Sequence, residues 1–436
     1  MLNRKEKMVS IRLYNARILT MKDGQDILPG EIWVEGHRIV YVGPEKKNEQ
    51  NMVWEREIDC KQNLLMPGFK NAHTHSGMTL LRSLADDLPL DEWLNQRVFP
   101  VEAKMTPEDI YELTKLAILE YWSSGITAVF EMYLTPESIA KAFEDMGMRC
   151  VQVSALNNFS QSPELMEQMY LKLNSSQKDS LHSYQLGFHA EYTCSKELLQ
   201  KVAEIAHKYQ APVYTHLAET EKEVQECIGR YGMTPLAFLD SLGMFAYGGG
   251  GYHCVHVTDA DMDIMKKRNL YAITNPGSNT KLASGIAPIS DFLDRGIPVA
   301  IGTDGPASNN CLDMFREMFL VTGLAKLKQK DASAVNAYEV LKMATVNGAH
   351  AMGLMDCDVL AEGKYADIIM VDLHMPNMQP IHNIPKNLVY SGSKINIKMT
   401  MIHGKICYEN GNYAMPEEEV AQIYQNCNDI SHRLCK

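Results

Sequence analysis

The chain has no apolar run of about 18 residues, the length that a membrane-spanning helix requires. Its first ten residues, Met1 to Ser10, are charged and lack the apolar stretch of a secretory signal. Its ten cysteines form no C-x-x-C pair, and their wide spacing indicates reduced core thiols rather than a disulfide framework. We therefore expect a cytoplasmic protein that has no membrane partner.

Basic residues are also in short supply. Lys and Arg number 42 against 54 Asp and Glu, which gives a formal net charge of −12. Nucleic-acid binding calls for a clustered positive surface, so this balance argues against a phosphate-backbone partner and leaves a small-molecule substrate open. Hydrophobic residues at 45% and charged residues at 22% are typical of an ordinary globular protein.

Both ends of the chain carry short β-rich runs separated by turn residues such as Asp23-Gly24 and Pro29-Gly30. The runs cover residues 11–19, 31–34, 38–42, 366–372, 388–390 and 398–403. Two β-rich ends around a different middle predict one small β-sandwich domain, assembled from residues 1–65 and 360–436.

The middle of the chain alternates strand-like and helical patterns. The strand-like runs cover residues 64–73, 125–131, 150–156, 185–192, 212–219, 251–257, 270–275 and 298–304. Helix starts are indicated by Thr106-Pro107, with proline at the first helical position, and by Ser195 ahead of an apolar stripe. Eight alternations predict an α/β fold, a (β/α)8 TIM-type barrel over residues 66–359, and a doubly wound open sheet is the alternative.

Chemistry-capable side chains recur where the predicted barrel strands end. His73 and His75 are two apart on a strand, so their side chains point to one face. Later strand ends carry His189, His216, Glu219, His253 and Asp304. Since a barrel gathers the carboxyl ends of its strands into one ring, we expect these residues to meet.

Three imidazoles and one carboxylate are a sensible ligand set for a divalent transition metal, which lowers the pKa of water. Glu219 is placed to act as a general base, and His253 to orient the attacking water or the developing oxyanion. Each residue also has an ordinary reading. His216 suits a satisfied strand histidine, Asp304 a turn residue before glycine, and Glu219 a helix-start carboxylate.

Five long runs carry a specific resemblance. They are residues 67–75, 80–90 with Trp93 and Leu94 following, 253–256, 275–285 and 302–310. On these runs, and nearly end to end, the chain resembles the amidohydrolase superfamily. The similarity is to its branch of 5′-methylthioadenosine/S-adenosylhomocysteine deaminases and the related triazine hydrolases.

The resemblance implies roles for the residues at the strand ends. It implies one divalent metal ion, with zinc best suited and iron or manganese also compatible with the donors. The implied ligands are His73, His75, His216 and Asp304. Glu219 is the implied proton shuttle, and His253 the residue that assists water and the transition state. Two-metal relatives place a carboxylated lysine on the strand of His189, and residues 185–192 contain no lysine.

Substrate contacts follow from the same similarity. Trp93 is expected to pack at the pocket, Glu102 to bind ribose hydroxyls, and His189 to contact the heterocycle. Two segments depart from the family pattern. Residues 154–161 carry no arginine, and none follows until Arg230. Residues 188–191 read Phe-His-Ala-Glu where the family has Pro-His-Ala-Pro. A small 5′ group is therefore favoured over an amino acid tail.

The expected function is hydrolytic deamination of an aminated N-heterocycle, foremost a 5′-modified adenosine: 5′-methylthioadenosine, S-adenosylhomocysteine, 5′-deoxyadenosine or adenosine. The alternatives within the fold are guanine or pterin deamination and triazine hydrolysis. The alternative of another class is a non-catalytic, metal-stabilised binding protein, against which Glu219 and His253 argue because a structural site needs neither. By analogy with related barrels we also expect a homo-oligomer.

Overall fold

The computed structural model describes residues 10–46, 54–84, 86–88, 92–175 and 179–435. Met1 to Val9, on which most of the expectation about a secretory signal rests, lie outside the described residues. Ala85, Pro89 and Leu90 of the 80–90 motif also lie outside them. In the described part no helix is both long and apolar enough to cross a membrane.

The strands and helices alternate through the middle of the chain. The strands are β1 Ser10–Ile18, β2 Leu28–Glu35, β3 Arg38–Gly43, β4 Arg56–Asp59, β5 Leu64–Pro67, β6 Phe69–Thr74, β7 Ile126–Glu131, β8 Arg149–Val153, β9 His182–Ala190, β10 Val213–Leu217, β11 Gly249–His253, β12 Leu270–Thr274, β13 Val299–Ile301, β14 Ile368–Val371, β15 Ile397–Ile402, β16 Lys405–Glu409 and β17 Asn412–Tyr413. The α-helices are α1 Phe99–Glu102, α2 Pro107–Ser123, α3 Pro136–Met146, α4 Pro163–Asn174, α5 Lys196–Tyr209, α6 Glu221–Tyr231, α7 Pro235–Ser241, α8 Asp259–Arg268, α9 Pro276–Lys281, α10 Ile289–Asp294, α11 Met314–Gln329, α12 Ala337–Ala344, α13 Val346–Ala351, α14 Ile384–Tyr390 and α15 Glu417–Leu434.

Strands β6 to β13 form one parallel sheet in sequential order. The backbone N–H of Asp304, beyond β13, donates to the carbonyl of His73 on β6 at 2.9 Å, so the last strand end meets the first. The predicted (β/α)8 barrel is confirmed, and the open sheet is excluded. Because both faces of these strands are covered, their side chains are buried almost without interruption.

The barrel has an interior core and an outer one. A small cluster that includes Phe130, Tyr214 and Tyr252 fills the inside of the barrel. The larger cluster packs the surrounding helices onto the outward faces of the strands. The active-site end of such a barrel is the end where the strands finish, and the loops after β6, β10, β11 and β13 all lie there.

The two ends of the chain build a separate nine-stranded sheet, in the order β17-β16-β15-β14-β5-β1-β2-β3 with β4 beside β1. It has its own core, to which both ends of the chain contribute. β5 passes directly into β6 through Gly68, where an added Cβ would lie 2.0 Å from Thr127. The division at residues 65 and 360 into two domains stays a prediction.

Two helix starts expected from the sequence are confirmed. Thr106 accepts from the N–H of Asp109 ahead of α2, and Ser195 accepts from the N–H of Leu198 ahead of α5. The strand expected at residues 388–390 is wrong, because this segment is the last turn of α14. The side chain of Asn383 caps that helix and a proline occupies its first turn.

The C-terminal helix α15 is a further difference from the sequence prediction, which treated the last 75 or so residues as β-rich. This 18-residue helix packs on α2 of the barrel. Ile423, Cys427, Ile430 and Leu434 are its buried residues, spaced by three and four. That spacing is the helical signal by which the sequence could have revealed it.

Candidate active site

Four predicted ligand residues converge at the end of the barrel where the strands finish. His73 lies on β6 and His75 just after it, His216 lies on β10, and Asp304 follows β13. One ligand atom from each lies within 4.8 Å of all the others, and all four residues are buried. The fold therefore brings together side chains that are more than 200 residues apart in sequence.

The spacing of these atoms suits a single small cation. Nε2 of His73 lies 3.2 Å from Nε2 of His216, and Nε2 of His75 lies 3.1 Å from Oδ1 of Asp304. Two ligand atoms bound tetrahedrally to one zinc ion lie about 3.4 Å apart. The four side chains thus fit a divalent metal ion as they stand.

Two backbone carbonyls fix the ring orientation and the tautomer of His216 and His75. Nδ1 of His216 donates to the carbonyl of His189 at 2.7 Å, and Nδ1 of His75 donates to the carbonyl of Met132. Each of these bonds places the ring proton on Nδ1, which leaves Nε2 with a lone pair aimed into the cluster. Such outer partners orient metal-binding histidines in general.

Electrostatics favour neutral imidazoles at two of the three positions. Burial, reinforced by the neighbouring imidazoles, lowers the pKa of His73 and of His216 well below the usual value. At His75 burial acts in the same direction, but the bond to Asp304 outweighs it and raises the pKa overall. Neutral imidazole is the form that binds metal ions.

Asp304 is held by several donors. Its backbone is left-handed, with φ of 58°, and its own N–H is tied to β6. Its carboxylate accepts from Ser278 Oγ at 2.6 Å, Ser308 Oγ at 3.0 Å and the N–H of Gly305 at 2.7 Å. Burial opposes ionisation, yet His75 and the other imidazoles hold the pKa of Asp304 well below its usual range.

Glu219 lies two residues beyond β10, beside the four-residue cluster. Only 6% of its surface is exposed, and burial raises the pKa of its carboxyl above the usual value. Ser284 Oγ donates to its Oε1 at 3.2 Å. Its Oε2 lies 3.8 Å from Nε2 of His253. A buried carboxyl with a raised pKa is suited to take up a proton and return it.

His253 ends β11 in a left-handed conformation, with φ of 71°. Its Nδ1 donates to Oδ1 of Asn279 at 2.8 Å, which directs Nε2 toward the site. Nε2 lies 3.8 Å from Glu219 and 3.9 Å from Oδ2 of Asp304. His253 therefore borders the space between the proposed base and the ligand cluster.

Two connected cavities open from this cluster. The inner chamber has a volume of about 50 Å³ and is lined by residues that include Trp93, His216, Glu219, His253 and Asp304. The outer chamber has a volume of about 510 Å³. Both are bordered by His75, Met78, Leu94 and His189, so they form one continuous path to the ligand cluster.

The three predicted substrate contacts all lie on these chambers. Trp93 is buried at the inner chamber, and His189 borders both chambers. Burial lowers the pKa of His189 to about 4, so its ring is neutral at pH 7. Glu102 lines the outer chamber, where Tyr133 donates to it at 2.7 Å, and burial raises the pKa of Glu102 to about 7.

Sequence reasoning assigned no roles to the residues that hold these groups in place. They include Tyr133, Glu223, Ser278, Asn279, Ser284 and Ser308. Most of them lie in residues 275–285 and 302–310. These two runs contributed to the family resemblance, but the individual residues received no role. Glu223 had a local signal, since it lies three residues after Thr220 as in a capping box.

Comparisons with known proteins agree with this geometry. Residues 64–407 match the amidohydrolase family. A protein of Desulfitobacterium hafniense named 5-methylthioadenosine/S-adenosylhomocysteine deaminase is 41% identical over 398 residues, which cover 90% of this chain and 92% of that protein. A protein of Methanococcoides burtonii named 5′-deoxyadenosine deaminase is 38% identical over 435 residues, covering 98% of this chain and 99% of that one.

A solved structure is similar over nearly the whole chain. It is an adenosine deaminase from Xanthomonas campestris with bound zinc, with a TM-score of 0.91, 32% identity and 98% of each chain covered. The family match spans most of the sequence, and the relatives exceed 30% identity over nearly their full length. The resemblance that the sequence motifs indicated is thereby confirmed, and this chain belongs to the amidohydrolase family.

Proposed function

We propose that this protein is a metal-dependent hydrolase of C–N bonds that deaminates a 5′-modified adenosine to the inosine analogue and ammonia. The observation that carries the proposal is the position of Glu219, a buried carboxyl with a raised pKa beside the His/His/His/Asp cluster. A closed structural metal site has no use for such a group.

His73, His75, His216 and Asp304 would hold one divalent ion, for which zinc best suits the donors and iron or manganese are compatible. When bound, the ion would lower the pKa of water toward neutrality and so supply a nucleophile. A single ion is favoured because His189 lines the chamber on the strand where two-metal relatives carry a modified lysine.

The residues of this chain would manage the protons. Glu219 takes one proton from the attacking water and passes it to the ring nitrogen next to the reacting carbon. It then takes the second proton from the hydroxyl now bonded to that carbon and passes it to the departing amine. His253, whose Nδ1 proton is held by Asn279, accepts a hydrogen bond from the attacking water at Nε2 and so orients it. A C–O bond forms, the C–N bond breaks, and ammonia and the oxo-heterocycle leave. The small inner chamber leaves little room for bulk water.

The outer chamber is large enough for the rest of a nucleoside, since its volume of about 510 Å³ is within the usual range of ligand pockets. Within it Glu102 would accept hydrogen bonds from ribose hydroxyls, His189 would contact the heterocycle, and Trp93 would form a wall. The names of the two relatives, 5-methylthioadenosine/S-adenosylhomocysteine deaminase and 5′-deoxyadenosine deaminase, support an adenosine skeleton.

The test is ammonia release by metal-replete protein from a panel of nucleosides, purines, pterins and triazines. We expect adenosine analogues with a modified 5′ position to give the highest kcat/KM. Preferred turnover of guanine, a pterin or a triazine would contradict the substrate assignment. A metal-loaded protein that is inert on the whole panel would favour a binding protein instead.

Three expectations about the surroundings of the enzyme stay predictions. They are a cytoplasmic location, the absence of a nucleic-acid partner and association into a homo-oligomer. The oligomeric state is checked by light scattering of the purified protein, with a mass equal to a single chain as the contradicting result.

A further inference from the structure

Resting on the proposed function, we propose that the outer chamber selects adenosines whose 5′ substituent is uncharged and disfavours a substituent that ends in a carboxylate. The charge of the chamber wall carries this inference. Among the described residues that line the chamber, none is a lysine or an arginine.

Glu102, the one carboxylate among the described residues of this wall, adds to the bias. Glu102 is partly buried, and burial raises its pKa to about 7, so it carries part of a negative charge at neutral pH. A substrate carboxylate in the chamber would lose water, find no lysine or arginine among the described lining residues, and meet a like charge. Burying an unpaired charge is costly, whereas a thioether or methyl group gains from the apolar wall.

Arg230, the first arginine after residues 154–161, already forms ion pairs within the protein. Arg230 Nη2 lies 2.6 Å from Oε2 of Glu191, a side chain that is only 1% exposed, and Nη1 lies 3.7 Å from Glu226. Drawing Arg230 away would leave the Glu191 carboxylate buried without its partner. Arg230 is therefore committed to structure and not to a ligand.

The turn at residues 157–160 places an aromatic ring at the rim of the chamber. Asn157 forms a closed turn by accepting from the N–H groups of Phe159 and Ser160 at 2.8 and 2.9 Å. This turn presents Phe159 to the chamber with 91% of its surface exposed. An exposed aromatic ring at a chamber mouth is suited to covering an apolar ligand tail.

The test separates charge from size with two 5′-thioether adenosines, one ending in a propanoate and the other in the matching propanamide. We expect kcat/KM of the metal-replete protein to be about 10- to 100-fold higher for the amide, the range that a missing charge-paired hydrogen bond gives. Equal kcat/KM for the two probes would overturn the selectivity proposal.

A gain of function gives a second readout. Phe159→Arg adds a guanidinium to the rim, and Phe159→Leu is the matched neutral control. We expect the propanoate-to-propanamide ratio of kcat/KM to rise about tenfold in Phe159→Arg relative to Phe159→Leu. The same ratio in both variants would contradict the location of the 5′ substituent in this chamber.

Failure of the deamination proposal is distinguishable from failure of selectivity. If the propanamide probe releases no ammonia, the proposed function is wrong. The dissociation constants of both probes, measured by calorimetry with the metal-loaded Glu219→Gln protein, then still decide the selectivity. Tighter binding of the amide supports it, and equal binding overturns it.

A separate observation concerns Glu223, to which we assign the role of a positioning residue for Glu219. Glu223 is 5% exposed at the start of α6. Its Oε1 accepts the N–H of Ala218 and its Oε2 accepts the N–H of Glu219, each at 2.8 Å. Both oxygens of one buried carboxylate thus hold two successive peptide groups. We call this pair of hydrogen bonds the Glu223 clamp.

The backbone that this clamp holds is strained at Ala218. Ala218 is left-handed, with φ of 49°, a conformation that residues with a Cβ adopt at a cost. Its carbonyl accepts the N–H groups of Val255 at 3.1 Å and His256 at 2.9 Å, in the loop after β11. By fixing this peptide, Glu223 ties the backbone of Glu219 to the loop that follows His253.

Glu223→Gln tests the clamp, because an amide keeps one acceptor oxygen and turns a donor toward the other N–H. We expect kcat to fall about tenfold with KM changed less than twofold and bound metal unchanged. The control is Thr220→Ala, which removes the cap of the same helix and leaves the clamp. An unchanged kcat in Glu223→Gln, or an equal loss in Thr220→Ala, would overturn the assignment.

Discussion

Asn279 accepts the Nδ1 proton of His253 at 2.8 Å, in a buried pair that joins the end of β11 to α9. This bond sets the tautomer of His253 and leaves Nε2 directed at the space beside Glu219. A neutral imidazole without that acceptor can exchange its ring proton between the two nitrogens or rotate. The catalytic contribution of His253 should therefore depend on the acceptor at position 279.

Replacing Asn279 by leucine should lower kcat by about 10- to 100-fold, the usual cost of losing a partner that orients a functional histidine. Asn279→Asp keeps an acceptor oxygen and should retain most of the activity. Both rates are measured on 5′-deoxyadenosine at saturating substrate. Leucine and aspartate variants of equal activity would mean that the hydrogen bond does not matter.

Glu219→Gln should reduce kcat by about 100- to 10,000-fold, since it removes the group proposed to move all the protons. Metal content, determined by inductively coupled plasma mass spectrometry, should stay at the wild-type level because Glu219 is not in the ligand cluster. The exposed neighbour Glu221 provides the control, and Glu221→Gln should be nearly silent. Normal turnover in Glu219→Gln would refute the role.

The pH profile should report the carboxyl of Glu219. Burial raises its pKa above the usual 4.5, and it must be ionised to accept the water proton, so kcat/KM should fall as pH drops through the raised pKa. The hydroxyl of Ser284 opposes the rise by donating to the ionised form. Ser284→Ala should therefore move the acid limb to higher pH. A limb that stays in place or moves to lower pH contradicts this assignment.

The junction between the barrel and the terminal sheet should be sensitive to one buried ion pair. Arg149 on β8 donates to both oxygens of Asp367, from Nε at 2.7 Å and from Nη2 at 3.1 Å, and both residues are about 1% exposed. Asp367→Ala leaves the guanidinium buried alone. It should lower the free energy of unfolding by about 3–5 kcal/mol, measured by urea titration.

A surface pair provides the comparison for Asp367. Arg295 contacts Asp259 at 2.6 Å, but the side chain of Asp259 is 86% exposed. Arg295→Ala should change the free energy of unfolding by only about 0–1 kcal/mol. Equal losses of unfolding free energy in Asp367→Ala and Arg295→Ala would contradict this explanation.

The stabilisation by the Arg149–Asp367 pair should depend on pH. Burial raises the pKa of Asp367, but Arg149 outweighs burial and lowers it to about 2, so the stabilisation should persist at neutral pH and be lost as pH falls toward 2.

The fold and the clustering of His73, His75, His216 and Asp304 could be predicted from the sequence because they depend on local and periodic signals. His73 and His75 are two apart on a strand, and the later chemical residues each end a β-like run. The barrel converts that repeated position into proximity, so the four-residue cluster follows once eight alternations are recognised. Family motifs supplied what periodicity leaves open, namely which histidines belong to the cluster.

The backbone groups that orient the histidines could not be predicted from the sequence, because their positions depend on how distant parts of the chain fold together. The carbonyls of Met132 and His189 bind the two histidines, and a carbonyl at any position has the same sequence signature. The strand assigned to residues 388–390 was wrong for another reason. Apolar, β-favouring residues there outweighed the capping signal of Asn383, which lies several residues earlier.

The most direct test of the central claim is a titration of metal-free protein with zinc, following turnover of 5′-deoxyadenosine as each increment binds. Activity should be absent without metal, rise in proportion to bound zinc, and reach its plateau at one ion per chain. Turnover that persists in rigorously metal-free protein, or a fully loaded protein that releases no ammonia, would contradict a deaminase built on His73, His75, His216 and Asp304.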